Sequence, residues 1–192
     1  MRSKLLSLVL VAALLPSGAA LAEQPRAERT LFAFLSPSKD RAARPARQTR
    51  AEEAARAELK EAVQLAIENR PKGRLWCVPF ARAVSGVEIK GNAKTWWYQA
   101  EGRYARGDDP KVGAVMAFSA SRSMPKGHVA VVSKVLSDRK VLVDQANWVR
   151  NKITVDTLVV DVSAKGDWSQ VRVANANGTL GRVNPVYGFI YN

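Results

Sequence analysis

The sequence predicts an α+β domain in which N-terminal helices pack on an antiparallel sheet of about six strands. Helical periodicity dominates the first half of the mature chain, and short Val-rich runs separated by turn residues dominate the second half. Helices followed by strands, rather than alternating with them, are typical of this class. The 192 residues suffice for one such domain with an N-terminal appendage, but not for two full hydrophobic cores.

The first part of the chain, residues 1–22, has the three parts of a secretory signal peptide. Arg2 and Lys4 form a basic head, residues 5–15 are apolar, and Ala20-Leu21-Ala22 is a cleavage motif of small residues. The apolar run is shorter than the roughly 20 residues that a membrane-spanning helix needs. We therefore expect an exported protein, periplasmic or extracellular after cleavage near Ala22.

Residues 23–50 form a predicted basic and flexible tether. The segment is rich in Arg, Pro, Ala and Ser, and its one apolar patch runs from Leu31 to Leu35. This patch either packs back on the domain or contacts a membrane surface or a partner. The formal net charge of the whole chain is +13, which favours anionic partners such as cell-wall polymer, lipid head groups or nucleic acid. Export argues against nucleic acid as the partner.

Three helices are predicted before the strands. The first covers about residues 50–69, because apolar residues recur there on one helical face, and the segment 51–71 leads into the domain. Two shorter helices, over 78–84 and 93–101, are each followed by a glycine, which commonly ends helices. The domain proper spans 72–192, and its strands are predicted at 113–118, 128–135, 140–146, 154–162, 170–173 and 187–191.

Cys77 is the strongest candidate for a reactive group. It is the only cysteine, so it has no partner for an internal disulfide, and it directly precedes the helix over 78–84. A helix N-terminus stabilises a thiolate, and its free N–H groups can bind the oxyanion of a tetrahedral intermediate. The alternative interpretation is a buried structural cysteine, which is the more common fate of a free thiol.

His128 is the candidate general base. It is the only histidine and it opens a Val-rich strand, next to Gly127, which leaves room for a close approach at the edge of the strand. A lone histidine is more often structural than catalytic. Because Cys77 is also present, a base–nucleophile pair is the favoured interpretation.

A third residue must orient the imidazole in such a pair. On the strand after His128, Gln145 and Asn147 share a face, and either amide oxygen could accept a hydrogen bond from the ring, whereas Asp144 points the other way. We favour Asn147, because a short amide held beside Trp148 is better immobilised than the longer Gln145.

Five motifs, taken in order and spacing, resemble a known family. The motifs are Trp76-Cys77-Val78-Pro79-Phe80-Ala81-Arg82, Gly91-Asn92-Ala93-Lys94-Thr95-Trp96-Trp97, Val112-Gly113-Ala114-Val115-Met116-Ala117-Phe118, Gly127-His128-Val129-Ala130-Val131-Val132 and Ala146-Asn147-Trp148. Together they are similar to the CHAP domains, which are cysteine, histidine-dependent amidohydrolases and peptidases distantly related to the papain fold. The resemblance covers Lys72 to Tyr191.

The resemblance implies that Cys77 and His128 match the nucleophile and the base of the family. It also implies a hydrolase that cleaves amide bonds of peptidoglycan, as an amidase or endopeptidase, within the segment 72–192. Family members often carry an acid on the strand after the histidine, where this chain has Gln145. This difference supports an alternative function, a CHAP-fold module of weak or no activity that binds the cell wall or envelope.

Aromatic side chains supply the candidate substrate-binding residues, Trp76, Trp97 and Trp148, because such rings commonly line grooves for sugars and peptides. Trp96 is a further tryptophan that could line such a groove. For at least two of these four tryptophans, the alternative is packing in the hydrophobic core. No metal or other cofactor is expected, since one histidine and one cysteine do not make up a usual zinc site. We expect a monomer that binds peptidoglycan or another anionic envelope polymer.

Overall fold

The computed structural model describes residues 39–192, with side chains from Thr49 onward. The predicted signal peptide, the apolar patch from Leu31 to Leu35 and most of the predicted tether therefore lie outside the described residues. The chain divides into two units, Met1–Ala42 and Ala43–Asn192, and the described elements belong to the second apart from the start of the first helix. No helix within 39–192 is long and apolar enough to cross a membrane.

The described helical elements are α1, α2, a 3-10 turn and α3, which span Lys39–Glu68, Cys77–Ser85, Ala93–Thr95 and Trp96–Gln99. α1 begins at Lys39 rather than near residue 50, so the last part of the predicted tether is helical. This stretch is rich in Ala and Arg, which are strong helix formers, although it lacks the apolar periodicity of a packed face. The predicted helix over 93–101 is instead the 3-10 turn followed by the single turn of α3.

The described strands form one antiparallel sheet with seven members, whose order is β1-β7-β2-β3-β4-β5-β6. They are β1 Ala105–Gly107, β2 Val115–Phe118, β3 His128–Ser137, β4 Lys140–Ala146, β5 Ile153–Asp161, β6 Gln170–Ala174 and β7 Leu180–Tyr191. β6 also pairs with β7, so strands β2 to β7 close into a six-stranded barrel-like sheet and β1 extends it along β7. The predicted α+β class and antiparallel sheet of about six strands are confirmed.

Two differences from the predicted strands occur at β1 and β7. β1 is too short to give a recognisable pattern. β7 begins at Leu180, whereas the predicted strand began at Tyr187. The prediction was too short because Asn184 and Pro185 are typical turn residues, although both are paired with β6 in the structure.

The hydrophobic core has two parts, divided by the sheet. One part packs α1, α2, the 3-10 turn and α3 against the outer face of β2 and β3; its members include Leu59, Phe80, Trp96, Val115 and Val129. The other fills the inside of the barrel with side chains from all six strands, among them Met116, Ala130, Val143 and Phe189, and with Trp168 from the connection between β5 and β6. Because both faces of β2 and the start of β3 are buried, these strands are nearly continuous apolar runs in the sequence.

A network of charged groups ties α1 to the sheet. Lys60 Nζ lies 3.0 Å from Oδ2 of Asp144 on β4 and 3.0 Å from Oδ1 of Asp156 on β5. Arg56 binds Asp156 at 3.2 Å and donates to the carbonyl oxygen of Ser133 at 2.7 Å. Asp144, whose side chain is fully buried, also accepts the N–H of Asp156 at 2.7 Å. The helix that precedes the domain is therefore bound to three strands by directional contacts.

Replacing Lys60 by methionine should lower the free energy of unfolding by roughly 3 kcal/mol, because the buried Asp144 carboxylate then loses its cation. Urea unfolding followed by tryptophan fluorescence measures the change. Gln64→Met is the matched control, because Gln64 is exposed on the same helix and contacts Glu68 rather than the sheet; it should change the stability by less than about 0.5 kcal/mol. Equal losses in the two variants would contradict a specific role for the network.

Candidate active site

Cys77 is the first residue of α2 and lines a cavity of about 670 Å³. The helix starts here because Pro79 falls in its first turn, where a missing N–H breaks no helical hydrogen bond. It ends at Gly86, whose φ of 71° is left-handed and whose N–H bonds to the carbonyl oxygen of Arg82. The predicted place of Cys77 at the start of a short helix is confirmed, although Trp76 rather than Cys77 is the N-cap.

Burial controls the ionisation of this thiol. It raises the pKa of Cys77 above its ordinary value, and backbone hydrogen bonds with Val129, Val78 and Cys77 itself only partly oppose the rise. The thiolate stabilisation expected at a helix N-terminus is therefore outweighed by desolvation. At neutral pH the group rests as a protonated thiol, so attack on a carbonyl requires a base.

His128 opens β3, and only 5% of its surface is exposed. Its Nε2 lies 2.9 Å from Oε1 of Gln145. Because an amide oxygen can only accept, Nε2 carries the proton in this bond and Nδ1 of the neutral ring is left as an acceptor. Phe118 and Trp148 contact the ring edge to face, with centroids 5.5 and 5.1 Å from it. These contacts fix both the orientation and the tautomer of the imidazole.

Burial lowers the pKa of His128 to about 4, and the hydrogen bond to Gln145 only partly opposes this shift. The ring is therefore neutral at pH 7. The imidazole of His128 and the protonated thiol of Cys77 are therefore both uncharged at pH 7.

Because His128 is the only histidine, its titration can be read without assignment. Imidazole ¹⁵N resonances of the Cys77→Ala variant should titrate with a midpoint near pH 4, and a midpoint near 6.5 would contradict the desolvated environment. Proton uptake also determines how the stability of the fold changes with pH. Between the two pKa values the unfolded chain binds a proton that the folded chain does not, so stability falls as the pH is lowered through this window, by about 3 kcal/mol in total.

Gln145, not Asn147, contacts the imidazole. Asn147 follows β4 with a φ of 62°, and its Oδ1 accepts the N–H of Asn151 at 2.8 Å, so it caps the turn into β5 while lining the cavity. The sequence-based preference for Asn147 as the orienting residue is therefore contradicted by the geometry. Strand alternation failed here because the β4–β5 register shifts just before Gln145 and the left-handed backbone redirects the side chain of Asn147.

The next residue toward the N-terminus, Asp144, faces away from His128, as predicted. It binds Lys60 on the far side of β4. Neighbouring positions on one strand thus serve two separate contacts, one that orients the imidazole and one that holds α1.

The three candidate tryptophans do not share one site. Trp76 and Trp148 line the cavity of Cys77 and His128. Trp97 instead lines a separate cavity of about 760 Å³ and stacks on Tyr187 with ring centroids 6.1 Å apart. Its neighbour Trp96 is fully buried in the core, which confirms the packing alternative for that residue. Trp97 therefore does not line the cavity that contains Cys77.

Gly127 confirms the predicted close approach beside His128. Its φ is 68°, and a Cβ at this position would lie 2.6 Å from the backbone nitrogen of Lys94 and 2.9 Å from the carbonyl oxygen of Phe118. The backbone of the 3-10 turn therefore lies directly against the start of β3. Any side chain at this position would displace the strand end that carries His128.

Sequence reasoning missed the basic lining of the catalytic cavity. Arg74, Lys126 and Arg182 line it, and no Asp or Glu of the described chain does so. The excess of basic residues in the sequence was the available signal, but composition does not locate charges. Within 39–192 no group of three or more His, Cys, Asp or Glu side chains is placed to hold a metal ion.

Comparison with protein-family models identifies a match to the CHAP domain over residues 69–147. A search of the curated proteins found no match. The family model includes Cys77, His128 and Gln145, and a CHAP domain suggests activity of the peptidoglycan hydrolase or amidase type. The resemblance indicated by the sequence motifs is confirmed, because the CHAP family model matches residues 69–147 of the chain.

Proposed function

We propose that the protein is an exported cysteine hydrolase that cleaves amide bonds of peptidoglycan, as an amidase or endopeptidase of the papain-like CHAP type. The observation that supports this most directly is the hydrogen bond between Nε2 of His128 and Oε1 of Gln145, which leaves Nδ1 as the proton acceptor of a residue that lines the same cavity as Cys77. Val129, the residue after His128, is among the backbone groups that lower the pKa of the Cys77 thiol, which supports the pairing of Cys77 with the start of β3. Their shared cavity supports the proposal that Cys77 is the nucleophile and His128 its base.

The reaction begins when the Cys77 sulfur attacks the amide carbonyl and its proton passes to His128. The carbonyl electrons move to oxygen, and N–H groups at the start of α2 stabilise the resulting oxyanion. When the C–N bond breaks, His128 gives the proton to the leaving amine and a thioester remains. Water, deprotonated by His128, then attacks the thioester, which releases the new carboxylic acid and restores the thiol.

Digestion of purified sacculi with the chain from Glu23 onward tests this function. Mass spectrometry of the released fragments should find a new amine and a new carboxyl group at one type of amide bond, and the Cys77→Ser variant is the control. If the protein binds sacculi but releases no fragment in a Cys77-dependent manner, the hydrolase proposal fails.

The second candidate function is a CHAP-fold module that binds the cell wall or envelope with weak or no turnover. Gln145 favours it, because a neutral amide stabilises the imidazolium formed during catalysis less than a carboxylate would. The low pKa of His128 favours it too, since a weaker base takes the thiol proton less readily. Binding to sacculi without release of fragments is the result that supports this alternative.

A further inference from the structure

The unexplained feature of the catalytic cavity is its set of unpaired cations. Arg74 precedes α2, Lys126 precedes β3 and Arg182 lies on β7, so three separate parts of the chain bring positive charge to one cavity. All three residues are exposed, and none forms an ion pair within the described part of the chain. Their charge is therefore available to a bound molecule.

Trp76 holds two of these cations next to the nucleophile. The guanidinium carbon of Arg74 lies 4.2 Å from the centroid of the indole ring, and Nζ of Lys126 lies 5.5 Å from it. Such contacts position a cation without using its N–H donors. The N–H donors of Arg74 and Lys126 thus remain free to bind an anion. Trp76, which contacts both cations, directly precedes Cys77 in the chain.

We propose that this cavity selects substrates that carry free carboxylates close to the scissile amide, and that it discriminates against the same substrates with those carboxylates amidated. The proposal rests on the proposed function, whose peptide substrate supplies both the amide and the carboxylates. A carboxylate accepts charge-assisted hydrogen bonds from arginine and lysine, whereas a neutral carboxamide brings no charge and presents N–H donors to groups that can only donate. No acidic side chain of the described chain lines the cavity to reverse this preference.

The decisive comparison uses two synthetic stem peptides that are identical except that a carboxylate next to the central amide bond is free in one and amidated in the other. We expect kcat/KM to favour the free acid by about 10-fold or more, and the dissociation constant of the Cys77→Ala variant, measured by calorimetry, to show the same preference. Arg74→Gln and Arg182→Gln should each reduce both ratios. Lys134→Gln is the control, because it removes the same charge from an exposed residue of β3 that does not line the cavity. This variant should leave both ratios unchanged.

Equal binding and cleavage of the two peptides, or a preference for the carboxamide, would overturn the proposal. So would an equal loss of preference in Lys134→Gln, which would assign the effect to net charge. The failure of the proposed function looks different, since it is the absence of Cys77-dependent cleavage of either peptide. The binding ratio of the Cys77→Ala variant still tests the selectivity in that case.

Discussion

Replacing Cys77 by serine should lower peptidoglycan hydrolysis by a factor on the order of 10³ or more, while the fold stays intact. The reason lies in the pair that the structure shows. His128 is a weak base, because burial lowers its pKa to about 4, and it can take a proton from a thiol far more readily than from an alcohol. A serine hydroxyl fits the same helix start, so α2 should remain.

Release of soluble fragments from sacculi measures this loss, and urea unfolding of both proteins checks the fold. Alkylation of the wild-type chain with iodoacetamide is an independent readout, because Cys77 is the only thiol. The alkylation rate should be low at pH 7 and should rise above pH 9, since burial raises the pKa of the thiol from 9.0. Full activity in Cys77→Ser would rule out the nucleophile assignment.

Replacing Gln145 by alanine should lower kcat by a factor on the order of 10² and change KM little. The imidazole then loses the hydrogen bond that fixes its tautomer, and this matters mainly in the transition state. Asn147→Gly is the matched comparison, because glycine accepts the φ of 62° while the side chain is removed; it should retain kcat within a factor of about 3. A large loss of kcat in Asn147→Gly, together with a nearly normal kcat in Gln145→Ala, would instead support Asn147 as the residue that orients His128.

Gln145→Glu extends the same test. A carboxylate beside the imidazole favours its charged form, so the pKa of His128 should rise above the value of about 4 in this variant, which the ¹⁵N titration would detect. A gain in turnover together with this rise would show that the neutral amide limits the activity. An unchanged pKa would mean that residue 145 does not contact the ring in solution.

Patterns confined to neighbouring residues were sufficient for much of this protein. The Val-rich runs located β3 and β4 with their starting residues, because most of the residues in these strands are buried and leave an apolar signal in the sequence. Pro79 and Gly86 delimited α2, and therefore placed Cys77 at its start, because their backbone preferences act locally. The CHAP motifs followed from the same local segments, whose order and spacing the family model also matches.

Contacts between distant residues required the tertiary structure. The closure of the sheet through the β6–β7 pairing, the ion network between α1 and β4, and the cavity that Trp97 lines all depend on where separate segments meet. The choice between Gln145 and Asn147 depended on a register shift that no periodicity reveals.

The sequence by itself determined the type of domain, the two candidate reactive residues and the local elements that carry them. Only the tertiary structure decided how those residues ionise and what surrounds them. The physical reason is that the pKa values of Cys77 and His128 are set mainly by desolvation, which comes from atoms far away along the chain. The gathering of Arg74, Lys126 and Arg182 around one cavity is likewise a property of the fold, because composition fixes how many charges a chain carries but not where they meet.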